Sequence, residues 1–134
     1  MAATFKFELV SPERVLLSVD AEEVVVPGVE GDFTVLIGHA PLVSTLRPGI
    51  LEVLSAGTRR RIFVKVGFAD VNPASVTVLA ERAYDLAELD GARVAEEIAI
   101  AEAELAAAKD DDERTMAATA IDRLRSIHGT SKAA

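Results

Sequence analysis

The spacing of apolar residues changes once along this chain, and that change constrains the fold more than any other feature. From Phe5 to about Ala80 the period is two: Phe5, Phe7 and Leu9 alternate with Lys6 and Glu8, and Val76 and Val78 alternate with Ser75 and Thr77. That is the spacing of a half-buried strand. The sequence predicts strands over 4–10, 14–19, 22–27, 32–36, 42–46, 50–55, 60–66, 67–71 and 75–80, parted by Ser11-Pro12, Pro27-Gly28, Gly38, Pro48-Gly49, Ala56-Gly57 and Asn72-Pro73. Many short strands with a turn signal about every ten residues indicate an antiparallel sandwich or barrel, not a parallel sheet.

Past Ala83-Tyr84-Asp85 the apolar residues recur at helical steps. Val94, Ile98, Ala101, Leu105 and Ala108 form one face of a helix predicted from about Asp90, its N-cap, to Lys109. The run Asp110-Asp111-Asp112-Glu113 interrupts the pattern and puts negative charge where the dipole of a second helix favours it. That helix is predicted from about Asp112 to His128, stopping at Gly129, with Met116, Ala120, Leu124 and Ile127 as its face, flanked by Ala117 and Ile121. A connection of about three residues makes the two helices an antiparallel hairpin. The predicted class is α+β, with a sandwich over 1–84 and a hairpin over 85–134. The alanine-rich hairpin faces bury modest area, so the hairpin is expected to be marginal and able to detach where another surface offers more burial; the alternative is permanent packing on the sandwich.

Charge and composition exclude several functions. The net charge of −8 argues against nucleic-acid binding, and the one basic run, Arg59-Arg60-Arg61, is short. Residues 85–134 hold twelve acids against six bases, so the acidity is concentrated in the hairpin. With no cysteine there is no disulfide, thiolate site or cysteine nucleophile. No apolar run approaches the roughly 20 residues that span a bilayer, and no secretory signal is visible at the N-terminus. The chain therefore reads as soluble, cytoplasmic and not inserted in a membrane, which leaves docking on a membrane-embedded partner open.

No catalytic constellation is legible. His39 lies beside a turn without a Ser-His-Asp arrangement, and His128 ends the second helix, where positive charge suits the dipole. The two histidines and three consecutive aspartates give neither a zinc pattern nor the alternating ligands of a calcium loop. Gly28 and Gly31 lack the Lys-Ser/Thr of a phosphate loop.

The stretch from Gly28 to Leu51 punctuates short apolar strands with four glycines and two prolines. Together with Phe7-Glu8-Leu9-Val10-Ser11-Pro12, Val76-Thr77-Val78-Leu79-Ala80-Glu81, Leu89-Asp90-x-x-Arg93 and the alanine-rich hairpin, it resembles the epsilon subunit of F-type ATP synthases over nearly the whole chain. The resemblance implies a sandwich of about ten strands that grips the gamma subunit and rests on the c-ring. It also implies a hairpin that can extend to the alpha/beta catalytic head and inhibit ATP hydrolysis, in a subunit that is itself not an enzyme. The c-ring contact would fall on Glu30, Gly31, Asp32, Gly38, His39, Ala40, Pro41 and Leu42. A nucleotide pattern maps to Leu89, Asp90, Arg93 and Arg123, but Ile100 and Thr119 stand where ATP-binding members carry further arginines. An acidic hairpin also repels a nucleotide unless guanidinium groups converge. The expectation is no cofactor, with Asp90 as a cap, and an ATP-sensing hairpin is the alternative. Arg114, Arg123 and Arg125 form a basic stripe that the resemblance sets against acidic segments of the head.

Overall fold

A computed structural model describes residues 3–133, with side chains through residue 127. The strands are β1 (Phe5–Val10), β2 (Val15–Ala21), β3 (Glu23–Gly28), β4 (Gly31–Val35), β5 (Leu42–Thr45), β6 (Gly49–Ser55), β7 (Thr58–Asn72) and β8 (Ser75–Asp85). A short 3-10 turn over Leu86–Glu88 follows, then α1 (Gly91–Ala107) and α2 (Asp111–Ala133). The chain forms two compact units, Met1–Asp85 and Leu86–Ala134.

In the first unit the strand order is β2-β1-β8-β7-β6-β3-β4, with β5 also on β7. Every pairing is antiparallel except that of β1 with β8, which is parallel. The predicted strands 60–66 and 67–71 are one strand, so eight strands stand where nine were read and about ten implied. The reason is visible at Val66 and Gly67. Val66 is left-handed at φ 59°, yet β7 holds one register with β8 on both sides of it, from Lys65↔Arg82 to Gly67↔Ala80. The backbone turns over there without leaving the ladder.

The burial pattern records the turnover. Before it, Ile62 and Val64 face the core; after it, Ala69 and Val71 do, a change from even to odd positions. A single strand thereby serves both layers: Thr58–Val64 pairs with β6, and Phe68–Val71 pairs with β5. Gly67 makes the crossing possible, because a Cβ there would lie 1.8 Å from the Leu79 carbonyl oxygen. The layers enclose Phe7, Leu9, Val24, Val26, Leu46, Leu51, Val53, Val76 and Val78, all at most 2% exposed. The β2–β3 corner is tied to the end of β6, where Glu22 N–H donates to the Leu54 carbonyl at 2.7 Å and Ser55 Oγ to that of Asp20 at 2.7 Å.

In the second unit Asp90 caps α1, its Oδ1 accepting from Arg93 N–H at 2.8 Å. Asp110 and Glu113 form a reciprocal cap on α2: Glu113 N–H donates to Asp110 Oδ1 at 2.8 Å, and Lys109 N–H donates to Glu113 Oε2 at 2.7 Å. Ala101, Ala120 and Ile121 form the seam, with Leu105 packed against it. Beyond the predicted face, Glu97 of α1 is buried at 2% exposure. The predicted stop at Gly129 is incorrect, since α2 continues to Ala133. One glycine costs a helix about 1 kcal/mol and does not end it when the next residues accept helical dihedrals. His128 is therefore not terminal, and its side chain lies outside the described residues.

Gly67→Ala is expected to destabilise the first unit by about 3 kcal/mol or more, because the obstructing atom is backbone and cannot swing aside. Val66→Asn should act oppositely and raise stability by about 1 kcal/mol, since a β-branched side chain is costly in the left-handed region that Asn tolerates. Urea unfolding followed by circular dichroism checks both.

Candidate functional site

The candidate ring-contact residues lie in two segments, the β3–β4 turn with the start of β4 and the β4–β5 loop. The β3–β4 turn holds Glu30, Gly31 opens β4 at φ 135°, and Asp32 follows it. Gly38, His39, Ala40 and Pro41 lie in the loop between β4 and β5, and Leu42 opens β5. Phe33 joins the two halves. Its ring lies 6.4 Å from the His39 ring, centroid to centroid, at a tilt of 38°. The other side of Phe33 faces Gly28, where a Cβ would meet Phe33 Cε1 at 3.0 Å, the Gly31 carbonyl oxygen at 2.9 Å and Ser44 Oγ at 3.1 Å. Gly28 is thus required by close approach, and its φ is ordinary.

The loop itself is pinned. Gly38, at φ 84°, donates its N–H to the Pro73 carbonyl at 2.7 Å, and His39 N–H donates to that of Leu36 at 3.2 Å. His39 Nδ1 lies 2.8 Å from the Ala40 carbonyl oxygen, which can only accept, so that nitrogen carries the proton. This local contact holds the ring in place.

Asp32 has an intramolecular partner that sequence reasoning missed: Arg47 Nη2 donates to its Oδ1 at 2.7 Å. Arg47 comes from the Arg-Pro-Gly that precedes β6, and its own N–H donates to the Pro27 carbonyl at 2.9 Å. The Asp32 side chain remains 51% exposed, so the pair presents a dipole at the surface more than a lone charge.

The larger omission is apolar. Val29, Leu36, Ile37, Leu42 and Val43 are 41–68% exposed, all within the signature stretch. An unbroken Val35-Leu36-Ile37 run beside Gly38 was the available signal, because strict alternation would place a polar residue at one of those positions. Exposed apolar side chains concentrated in one segment mark an interaction surface.

The hairpin candidates are spread over both helices and the stretch before α1. Leu89 is buried, Asp90 is engaged as the α1 cap, and Arg93 Nε stands 4.0 Å from Glu96. Arg123 is half-buried on α2. Arg114 pairs with Asp111 one turn away, and Arg125 Nη2 lies 3.8 Å from Glu102 of α1. A groove between the helices is lined by Glu102, Leu105, Ala106, Ala118, Ile121, Asp122 and Arg125; of the candidates it includes Arg125 alone. Among the described residues no group of three or more His, Cys, Asp or Glu is placed to hold a metal ion, and no helix is long and apolar enough to cross a membrane.

A sandwich carrying this loop surface, followed by a helical hairpin, defines a recognisable class. Residues 4–85 match the family described as ATP synthase, Delta/Epsilon chain, beta-sandwich domain. The ATP synthase epsilon chain of Parvibaculum lavamentivorans is 50% identical over 131 residues, which cover 97% of this chain and 99% of that one. That of a Chelativorans strain is 45% identical over 130 residues, 96% of each. The chain therefore belongs to the ATP synthase epsilon chain family. Among solved structures, a chain of the Euglena gracilis mitochondrial ATP synthase, in an assembly of OSCP, F1 and c-ring, is 26% identical with a TM-score of 0.73, covering 97% of this chain and 82% of that one. A chain of the Tetrahymena thermophila central stalk and c-ring has a TM-score of 0.63 at 12% identity, over 95% of this chain and 98% of that one, and shares the fold.

Gly28→Ala is expected to cost about 2 kcal/mol of stability, because the Gly31 carbonyl and the Phe33 ring would both have to shift. Asp32→Asn should cost no more than about 1 kcal/mol, since the ion pair it weakens is solvated. Denaturant melts of both variants test this order.

Proposed function

We propose that the chain is a non-catalytic rotor subunit of a proton-translocating F-type ATP synthase, peripheral to the cytoplasmic face of the membrane, that couples the gamma subunit to the c-ring. The observation that carries this reading is the exposed apolar set on the pinned loop, Leu36, Ile37, Leu42 and Val43, beside the Asp32–Arg47 pair. Such a surface meets the polar and apolar loops of a ring without first having to order itself, which keeps the entropic cost of docking low. The ring contact then comprises Glu30, Gly31, Asp32, Gly38, His39, Ala40, Pro41 and Leu42, and Ile37 joins them. The likeness to a chain of the Euglena gracilis mitochondrial ATP synthase, in an assembly of OSCP, F1 and c-ring, supports the same reading.

The hairpin acts in this proposal as a restraint on ATP hydrolysis when it extends toward the alpha/beta head. Its seam of Ala101, Ala120 and Ile121 is mostly small side chains, so parting the helices there costs less than parting a leucine seam would. Arg114 and Arg125 pair with hairpin carboxylates through exposed contacts worth about 0.2–1 kcal/mol each, and they exchange readily for carboxylates of the head. A nucleotide-sensing hairpin is less well supported, because Asp90 is engaged as a cap and Arg93 neighbours Glu96. No cofactor enters this reading.

Replacing Arg123 and Arg125 together with alanine should raise ATP hydrolysis by the assembled enzyme about two- to fivefold, the factor equivalent to roughly 0.4–1 kcal/mol, without releasing the subunit. Equal rates for wild type, this variant and a chain ending at Asp85 would make the chain a coupler and remove the brake from the proposal.

A further inference from the structure

Asp32 stands on β4, the end strand of the path that runs β7-β6-β3-β4, so its backbone is laddered from one side only. A carboxylate half exposed at such an edge samples several rotamers unless something holds it. Arg47, 15 positions away, does so: its Nη2 donates to Asp32 Oδ1 at 2.7 Å. Asp32 Oδ2 has no hydrogen bond to any described residue, and the side chain is 51% exposed.

The backbone that carries Arg47 is itself fixed. Arg47 N–H donates to the Pro27 carbonyl at 2.9 Å, and Pro27 is the residue that faces Asp32 across the β3–β4 ladder. Just before it, Leu46 bridges to Gly28, and Val29 N–H donates to the Thr45 carbonyl at 2.9 Å. Just after it, Pro48 confines Arg47 to extended dihedrals. Gly49 lies so close to Pro27 that a Cβ there would sit 2.8 Å from the proline Cβ. Residues 45–49 are thus clamped onto the base of the β3–β4 turn, and the Arg47 side chain reaches from that clamp to Asp32.

Stability does not account for the arrangement. An ion pair whose side chains are 29% and 51% exposed gains little over its hydrated parts. Arg47 Nε is buried with no hydrogen-bond partner among the described residues, and a buried donor left so costs more than such a pair contributes. What the contact does supply is direction. With Oδ1 held, Oδ2 is aimed before any partner arrives, and the adjacent guanidinium offsets the charge. The surface therefore offers an oriented acceptor more than a free anion, which suits a directional N–H donor.

We infer that Arg47 is a positioning residue for docking on the ring: it holds Asp32 by Oδ1 so that Oδ2 accepts from a guanidinium or amide N–H on a ring loop. The inference rests on the rotor reading with Asp32 at the ring, and it adds a residue that lies outside the contact set drawn from positions 30–42.

The test returns the full chain to membrane vesicles stripped of it and reads the concentration that half-restores ATP-driven proton pumping. Binding to the soluble alpha/beta/gamma subcomplex, which contains no ring, is measured beside it. Arg47→Met keeps the stem and removes the guanidinium. It should raise the half-restoring concentration about two- to tenfold, the factor that ordering one more side chain costs, while ring-free binding and the urea midpoint stay as in wild type. Arg47→Lys, which still reaches Asp32 as a point charge, should remain within about twofold of wild type. Asp32→Ala should lose at least as much as Arg47→Met, and the double variant no more than Asp32→Ala alone, because Arg47 acts through Asp32. Arg47→Met at wild-type strength beside a weakened Asp32→Ala overturns the inference alone. Additive losses would put Arg47 itself against the ring, and Arg47→Lys as weak as Arg47→Met would remove the ion pair from the account; either overturns the positioning role. An Arg47→Met chain that does not fold, or that loses as much on the ring-free subcomplex, would make Arg47 structural and overturn it too. Asp32→Ala at wild-type strength overturns the ring assignment of Asp32 and the inference with it, and vesicles that wild type fails to restore overturn the rotor reading as well.

Discussion

The close crossing of Gly67 over the Leu79 carbonyl is the constraint on which the rest of the sandwich depends. With a Cβ only 1.8 Å from that oxygen, no other residue fits without moving the backbone. Because it fits, β7 turns over at Val66 while keeping its register with β8, and one strand supplies both layers. The consequence runs outward in two directions. Toward the core, Ile62 and Val64 give way to Ala69 and Val71, so both halves of the strand bury their apolar side. Toward solvent, Phe68 is delivered to an outer face together with Leu79.

The exposed apolar surfaces follow from such local departures from regular geometry. Regular alternation puts apolar residues inside and polar ones outside, and a purely regular sandwich would have little to dock with. Here the bulge at Leu16 exposes Val15, the left-handed Val66 exposes Phe68, and the Gly38 turn exposes Leu36 and Ile37. Each irregularity is braced: Leu16 packs on the core, β7 stays bonded to β8, and Gly38 N–H is held by the Pro73 carbonyl. Rigid presentation suits the proposed docking on a ring, because a loop that reorders on contact would lose part of its binding free energy to ordering. The hairpin has the opposite character. Its seam is alanine-rich, and its paired arginines sit at the surface.

Much of this was legible in the sequence, and the exceptions have identifiable causes. Period two to about Ala80 and helical period afterwards gave the class, and Asp90 announced the α1 cap by its chemistry. The segments 60–66 and 67–71 read as two strands, and only the ladder with β8, which keeps its register past the left-handed Val66, shows that they are one. Glu97 lies outside the face read from the sequence, yet it is buried on α1 together with Val94 and Ala101. The length of α2 was underestimated because glycine was taken as a stop when no further signal accompanied it. At the loop surface, Asp32 and His39 are proposed from the resemblance. Their neighbours Phe33 and Arg47 needed coordinates, since contacts between residues 6 and 15 positions apart leave no local pattern.

The central claim is mechanical coupling, and it is tested most directly by ATP-driven proton pumping in membrane vesicles stripped of this chain and then given it back at saturating amount. The account predicts that stripped vesicles hydrolyse ATP with little pumping, and that the full chain restores protons pumped per ATP hydrolysed to the level of untreated vesicles. Stripped vesicles that pump as many protons per ATP as untreated ones would contradict it, because the stalk and the ring would then be coupled without this subunit.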